Sequence, residues 1–175
     1  MKKFELTNEF ITNMFGTKLF RIRALVEFGD VEAGELGGYV EKESNLGHDD
    51  NAWVYGDARV YDNALVYDNA RVYGDAWVYG DAWVYGNARV CGDALVCGDA
   101  RVCGNGDYAY AHGFGSVNRT TTFFRLKDGG VGVRCGCFYG TLAQFRDKIR
   151  ETHGETKKAQ EYLMLADLMK LRFEK

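Results

Sequence analysis

A mainly β fold is predicted, a parallel β-helix shaped as a triangular prism with eighteen residues per coil and a small C-terminal ββαα unit. Three features predict it. From Asn51 the chain reads NAWVYG, DARVYD, NALVYD, NARVYG, DAWVYG, DAWVYG, NARVCG, DALVCG, DARVCG, nine units of six residues with no insertion. Position two is always Ala and position four always Val, so each unit carries two small apolar side chains two residues apart. Position six is Gly or Asp and position one Asn or Asp, which puts turn-forming residues at every joint.

Side chains two apart on a strand share a face, so Ala and Val point one way and their neighbours the other. If three units make a coil, Val54, Val72 and Val90 stack, as do Val60, Val78 and Val96, and Val66, Val84 and Val102. Each coil then advances about 4.8 Å, one strand spacing. The alanines stay small because three walls converge inside a narrow prism. A helix is excluded, since valine every sixth residue does not follow a 3.6-residue period and the Gly-Asp and Gly-Asn joints would break it.

V-Y-G-D-A-R resembles the hexapeptide repeat of left-handed β-helix proteins, and the left hand is an expectation from that resemblance. The lead-in FGDVEAGELGGYVEKESNL followed by NAWVYGDARV is similar to a group of hexapeptide-repeat proteins of bacteria and phages that carry a transferase label. The similarity covers about residues 18 to 114, and the tail resembles segments beside such repeats in phage-encoded proteins. It implies a phage or prophage setting, and with it modulation of a host protein such as a defence system. It also implies an alternative, a trimeric acyltransferase using acetyl-CoA at sites between subunits, with a histidine as general base.

The ends of such a stack must differ from its middle, or coils of separate molecules would pair. Residues 1–30 read as an N-terminal strand and cap, with TKLFRIRALVEF at 17–28 as the strand. Residues 31–116 read as the β-helix with imperfect end coils. In the first of these Val40 and Leu46 are six apart, Ser44 takes the alanine place, and a bulged corner falls at Gly47-His48-Asp49-Asp50. Past Gly104, Tyr108 and Phe114 keep the valine register as a plug, with Gly106 and His112 in the alanine places. Residues 117–175 read as a hairpin turning at Asp128-Gly129 and two helices. Thr141 with Gln144 forms a capping box for the first, whose face is Leu142, Phe145 and Ile149 and whose stop is Gly154. The second runs from about Thr156, with Ala159, Leu163, Ala166, Met169 and Phe173 inward.

A net charge of -3 and a pI near 5.7 give no general attraction to nucleic acid or anionic membrane. No stretch reaches the roughly 18 apolar residues of a membrane span. MKKFELTNEF lacks the apolar run of a signal peptide, and five cysteines with no secretory signal suit free thiols, so a cytoplasmic location is expected.

Eighteen-residue stacking sorts the outward residues onto three faces. The first carries Trp53, Tyr55, Arg71, Tyr73, Arg89 and Cys91. The second carries Arg59, Tyr61, Trp77, Tyr79, Leu95 and Cys97, and the third Leu65, Tyr67, Trp83, Tyr85, Arg101 and Cys103. Such aromatic ladders stabilise stacked strands, yet nine outward aromatics exceed what a monomer usually exposes. The tails look too short to wrap all three faces. The residues expected to form an interface are therefore Trp53, Tyr55, Tyr61, Tyr67, Arg71, Tyr73, Trp77, Tyr79, Trp83 and Tyr85.

Other chemistry is weaker. Cys91, Cys97 and Cys103 are evenly spaced but fall on different faces, whereas zinc ligands converge to about 2.3 Å from one ion. Cys135 and Cys137 continue the alternation of Val131 and Val133, so core packing is favoured over a metal or redox role. The corner Asp and Asn residues, one per joint, serve turns rather than calcium. Arg59, Arg71, Arg89 and Arg101 among aromatics are of the types that line single-strand nucleic-acid surfaces, but they are spread over three faces among aspartates. His48 and His112 are the candidate catalytic bases; both lie outside the nine regular units, with no orienting partner signalled. The expected function is thus a non-catalytic scaffold that binds its own copies, as a homodimer or homotrimer, or a partner protein, with the acyltransferase as the first alternative and a nucleic-acid binder as the second. No cofactor or metal is expected, acetyl-CoA belonging only to the acyltransferase alternative.

Overall fold

The structure is a computed structural model that describes residues 1–174. Its centre is a solenoid of two-residue strands, one per repeat unit: β4 (Trp53–Val54), β5 (Arg59–Val60), β6 (Leu65–Val66), β7 (Arg71–Val72), β8 (Trp77–Val78), β9 (Trp83–Val84), β10 (Arg89–Val90), β11 (Leu95–Val96) and β12 (Arg101–Val102). They stack as three parallel ladders, β4-β7-β10, β5-β8-β11 and β6-β9-β12, with Val54 beside Val72 and Val72 beside Val90. Residues eighteen apart therefore lie over one another, and every repeat Ala and Val from Ala52 to Val102 is buried.

The joints explain the mixed turn residues. Position six is left-handed in all eight units from Gly56 to Gly98, with φ between 57° and 72°. In the lower coils this place must be glycine, because a Cβ at Gly86 would lie 2.6 Å from the Cys103 carbonyl oxygen. In the first coil Asp62 and Asp68 take it, and their carboxylates accept from the N–H groups of Gly80 and Gly86 at 3.1 Å. Asn at position one builds a ladder, Asn51 donating to Asn69 at 3.0 Å and Asn69 to Asn87 at 3.4 Å.

A coil precedes the regular units. In β3 (Leu36–Val40), Val40 lies beside Val60, and Leu46 bridges to Val66. The separation is twenty residues rather than eighteen, because the 47–50 corner holds two more. Ser44 does not take the alanine place. A 3-10 turn at Glu43–Asn45 exposes it and buries Asn45 at 0%.

The backbone polarity makes the two ends chemically opposite. N–H groups of each coil donate to carbonyls of the next, as Trp53 N does to Ala70 O and Arg59 N to Ala76 O. The first regular coil thus leaves carbonyls open, and the last leaves N–H groups open. Donors close the first: Lys3 Nζ on Ala52 O at 2.8 Å, Tyr39 N on Ala58 O at 2.9 Å, and Asn45 Nδ2 on Ala64 O at 2.9 Å. Acceptors close the last: Asn105 Oδ1 for Arg89 N at 2.8 Å, Thr122 Oγ1 for Leu95 N at 2.9 Å, and Asp107 Oδ2 for Cys103 N at 3.0 Å. Buried amides and carbonyls need partners, so each cap supplies the sign of group that its end lacks.

The apolar interior is closed in the same way. An antiparallel hairpin of β1 (Phe4–Thr12) and β2 (Lys18–Ala24) extends the β3 ladder and places Phe4 and Ile22 over the open coil. The sequence does not announce β1, because its polar stretch Thr7-Asn8-Glu9 hides the alternation.

At the other end the expected plug is corrected. Tyr108 does close the core, but Phe114 does not continue the coil. It belongs to β13 (Tyr108–Phe114), the first strand of an antiparallel sheet with β14 (Arg119–Arg125), β15 (Val131–Cys135) and β16 (Phe138–Thr141). The C-terminal unit therefore has four strands, one of them taken from the residues expected to plug the prism. Its β14 faces two cores at once: Phe124 and Thr122 turn to the solenoid, while Phe123 turns to α1 (Leu142–His153) and α2 (Lys157–Phe173). Thr141 and Gln144 form the capping box, and Gly154 ends α1 with φ 57°. On α2, Tyr162 is buried where Leu163 was expected; Leu163 is half-buried at the edge of the cluster. Among the described residues, no helix is long and apolar enough to cross a membrane.

Candidate functional site

The three outward faces, equal in the repeat, differ sharply once the terminal units are in place. On the first face Trp53 points outward from the prism but is 0% exposed, held edge-on by Phe28 at 5.3 Å and Phe4 at 6.1 Å. Below it Arg71 Nη1 donates to the Tyr55 hydroxyl at 2.7 Å and pairs with Asp30 from the lead-in loop. The Arg71 guanidinium holds the Asp30 carboxyl below its usual range, and burial pushes Tyr55 up to about 12. Tyr73 and Arg89 stay exposed, so this face is half covered.

The second face is the most closed. Tyr61 and Tyr79 stack at 5.1 Å and 3°, and the hairpin adds Leu19 and Ile11, and β3 adds Tyr39, to their cluster. Burial pushes Tyr61 up to about 12 and raises Tyr79 and Cys97 as well. Trp53, Tyr61 and Cys97, read from the sequence as outward, are thus buried by chain elements that the repeat does not reveal.

The third face has no such cover among the described residues. Tyr67 and Tyr85 stack at 5.2 Å and 6°, and Tyr67 meets Trp83 edge-on at 6.2 Å. The Arg101 guanidinium lies 4.2 Å over Trp83 and donates to the Asp81 and Ala100 carbonyls at 2.8 Å each. Trp83 is 37% exposed, Cys103 exposed, and Leu65, Tyr67, Tyr85 and Arg101 half-buried. The charges and rings acting on Tyr67 all come from this same face and its corner: Tyr85, Asp68, Arg101 and Cys103. A ladder already stacked and a cation already anchored lose little freedom on contact with a partner.

The histidines are separated by the length of the solenoid. His48 Nδ1 accepts the Lys3 backbone N–H at 3.3 Å, and its ring stacks on Phe4 at 4.3 Å, which makes it part of the N-terminal cap. His112 sits on β13, largely exposed, 2.8 Å from Thr120 Oγ1 and 3.9 Å from the Asp93 carboxylate. A cleft of about 390 Å³ beside Lys3 and Asp50 is lined by His48. Cys91, Cys97 and Cys103 fall on three separate ladders. Cys135 packs with the C-terminal core, but Cys137 does not continue the strand face. Gly136 turns the chain at φ 59° and leaves Cys137 exposed.

A cavity of about 220 Å³ in the C-terminal unit has no counterpart in the sequence pattern. It is lined by Ser116, Arg119, Cys135, Cys137, Phe138, Phe145, Lys148, Ile149, Thr152, His153 and Tyr162, drawn from strands and both helices as well as the loops between. No local motif could have announced it.

Stacked coils with an eighteen-residue period define a β-solenoid repeat protein. A family model described as the YdcK beta solenoid repeat matches residues 52–68, 64–80 and 82–98, each match close to one coil in length. No curated protein matches the chain.

Proposed function

We propose that the protein is a non-catalytic β-solenoid scaffold that works through its third face, and that the first occupant of this face is a second copy of the chain. The carrying observation is the asymmetry of cover: two faces are wholly or partly closed by the chain's own ends, while Tyr67, Trp83, Tyr85 and Arg101 are not. Tyr, Trp and Arg are the side chains that dominate protein interfaces. Charge favours a two-fold pair. Arg101 stands at one end of the face and the exposed Asp68 at the other, so an antiparallel face-to-face arrangement brings each Arg101 toward the partner's acidic end.

The acyltransferase alternative gains less support. His48 is engaged in the cap, and His112 is exposed with the Thr120 hydroxyl as its hydrogen-bond partner. The test is mass in solution over a concentration series. Expected is a dimer that Trp83→Ser with Arg101→Ala converts to monomer, with the circular dichroism of the coils retained. A wild type that stays monomeric at all concentrations, or a variant of unchanged dimer affinity, contradicts the proposal.

A further inference from the structure

We infer that the cavity between the four-stranded sheet and α1 binds a small amphipathic anion, a carboxylate or phosphate on a single aromatic or branched apolar body. Its floor is apolar, formed by Phe138, Phe145 and Ile149, and its rim carries Arg119, Lys148 and His153. No Asp or Glu lines it. Lys148 is shared with Glu151, which it meets at 3.0 Å outside the cavity. Arg119 has no carboxylate within ion-pair distance among the described residues, which leaves a cation beside a hydrophobic floor without a counter-charge of its own.

Two polar ends are seated by bare backbone. A Cβ at Gly136 would lie 1.8 Å from Arg119 Nη1, and one at Gly115 would lie 2.2 Å from the Tyr162 hydroxyl. Both glycines are left-handed, with φ 59° and 79°, and neither carries a side chain that would displace those two groups. Burial pushes the Tyr162 phenol up to about 12, so it remains a donor across the neutral range. A planar guanidinium and a hydroxyl suit an anionic oxygen pair, and the floor suits a ring. The volume of about 220 Å³ lies below the roughly 300–1,000 Å³ of sites for larger ligands, which limits the body to about one ring.

The test uses the full chain with phenyl phosphate, phenylacetate and benzyl alcohol as calorimetric probes. At least one of the two anions should bind saturably, the stronger naming the head group, with benzyl alcohol at least about tenfold weaker. Arg119→Gln should weaken anion binding by about tenfold or more with its melting temperature unchanged, since the side chain is exposed and unpaired. Bound anion should slow alkylation of Cys137 by iodoacetamide and leave exposed Cys103, on the solenoid, unaffected. Trp83→Ser should bind as the wild type does, which separates failure here from failure of the third-face proposal. Absence of saturable binding at millimolar anion, equal affinity for benzyl alcohol, or wild-type affinity in Arg119→Gln overturns the inference.

Discussion

Lys3 is 3% exposed, and its ammonium meets Asp50 O, Asp50 Oδ1 and Ala52 O at 3.1, 2.9 and 2.8 Å. Burial lowers its pKa while Asp50 opposes the shift. A strongly solvated group is tolerated there because the open coil presents carbonyls that nothing else reaches. Asn45 does the same at the next ladder but one, donating to Asp62 O and Ala64 O. Asn45→Leu should cost about 2 kcal/mol, since two carbonyls lose their donor, and Lys3→Met about 2–3 kcal/mol; the shift of the urea midpoint measures both. If either variant keeps wild-type stability, end capping by donors is not what closes the coil. Neither residue could be recognised in the sequence, because each acts on a carbonyl at a distance along the chain and belongs to no repeat.

At the scale of the coil, spacing carries nearly everything. Period six with Ala and Val two apart assigns the interior, and the structure places every one of those side chains there. The Gly or Asp choice at position six is finer and depends on neighbours in the next coil. A Cβ at Gly56 would meet nothing closer than Gly74 O at 3.9 Å, whereas one at Gly86 would come within 2.6 Å of Cys103 O. Gly56→Ala should therefore cost only the left-handed backbone, about 1 kcal/mol, and Gly86→Ala about 2–3 kcal/mol. Equal losses in thermal unfolding would show that stacking contact does not separate the two corners. The C-terminal unit is legible in its helices, where capping box and apolar spacing are local. Its strand β13 is not, because Tyr108 fits the valine register and the following residues then leave it to pair with β14.

For the whole molecule, the ends decide which repeat residues meet water. Nothing in the units distinguishes Trp53, Trp77 and Trp83, yet the chain's N-terminal elements bury the first and leave the last open. The interface is therefore legible as residue types and not as a face. Burial also sets an alkaline limit. Tyr55, Tyr61 and Tyr162 are raised to about 12, and Tyr79 and Tyr108 are raised too. Folded phenols keep their protons above the unfolded value near 10, so the unfolded state binds fewer protons there and stability falls as pH rises. Cys97, Tyr67, Tyr73 and Tyr139 are raised and act in the same sense, and Lys3 alone among these groups acts in the opposite one. Unfolding free energy should be level from pH 7 to about 9 and decline steadily beyond about 10; a flat profile to pH 12 would place these phenols in water.

Each tryptophan reports one face of the prism, and hydroxyl-radical oxidation read residue by residue tests the cover directly. In dilute protein the expected order of reactivity is Trp83, then Trp77, then Trp53, matching exposed, half-buried and buried rings. At concentrations where two copies pair, Trp83 alone should become protected. Equal reactivity of Trp53 and Trp83 in the dilute protein would contradict the covered and open faces. Concentration-dependent protection that falls on Trp77 and spares Trp83 would place the working surface elsewhere.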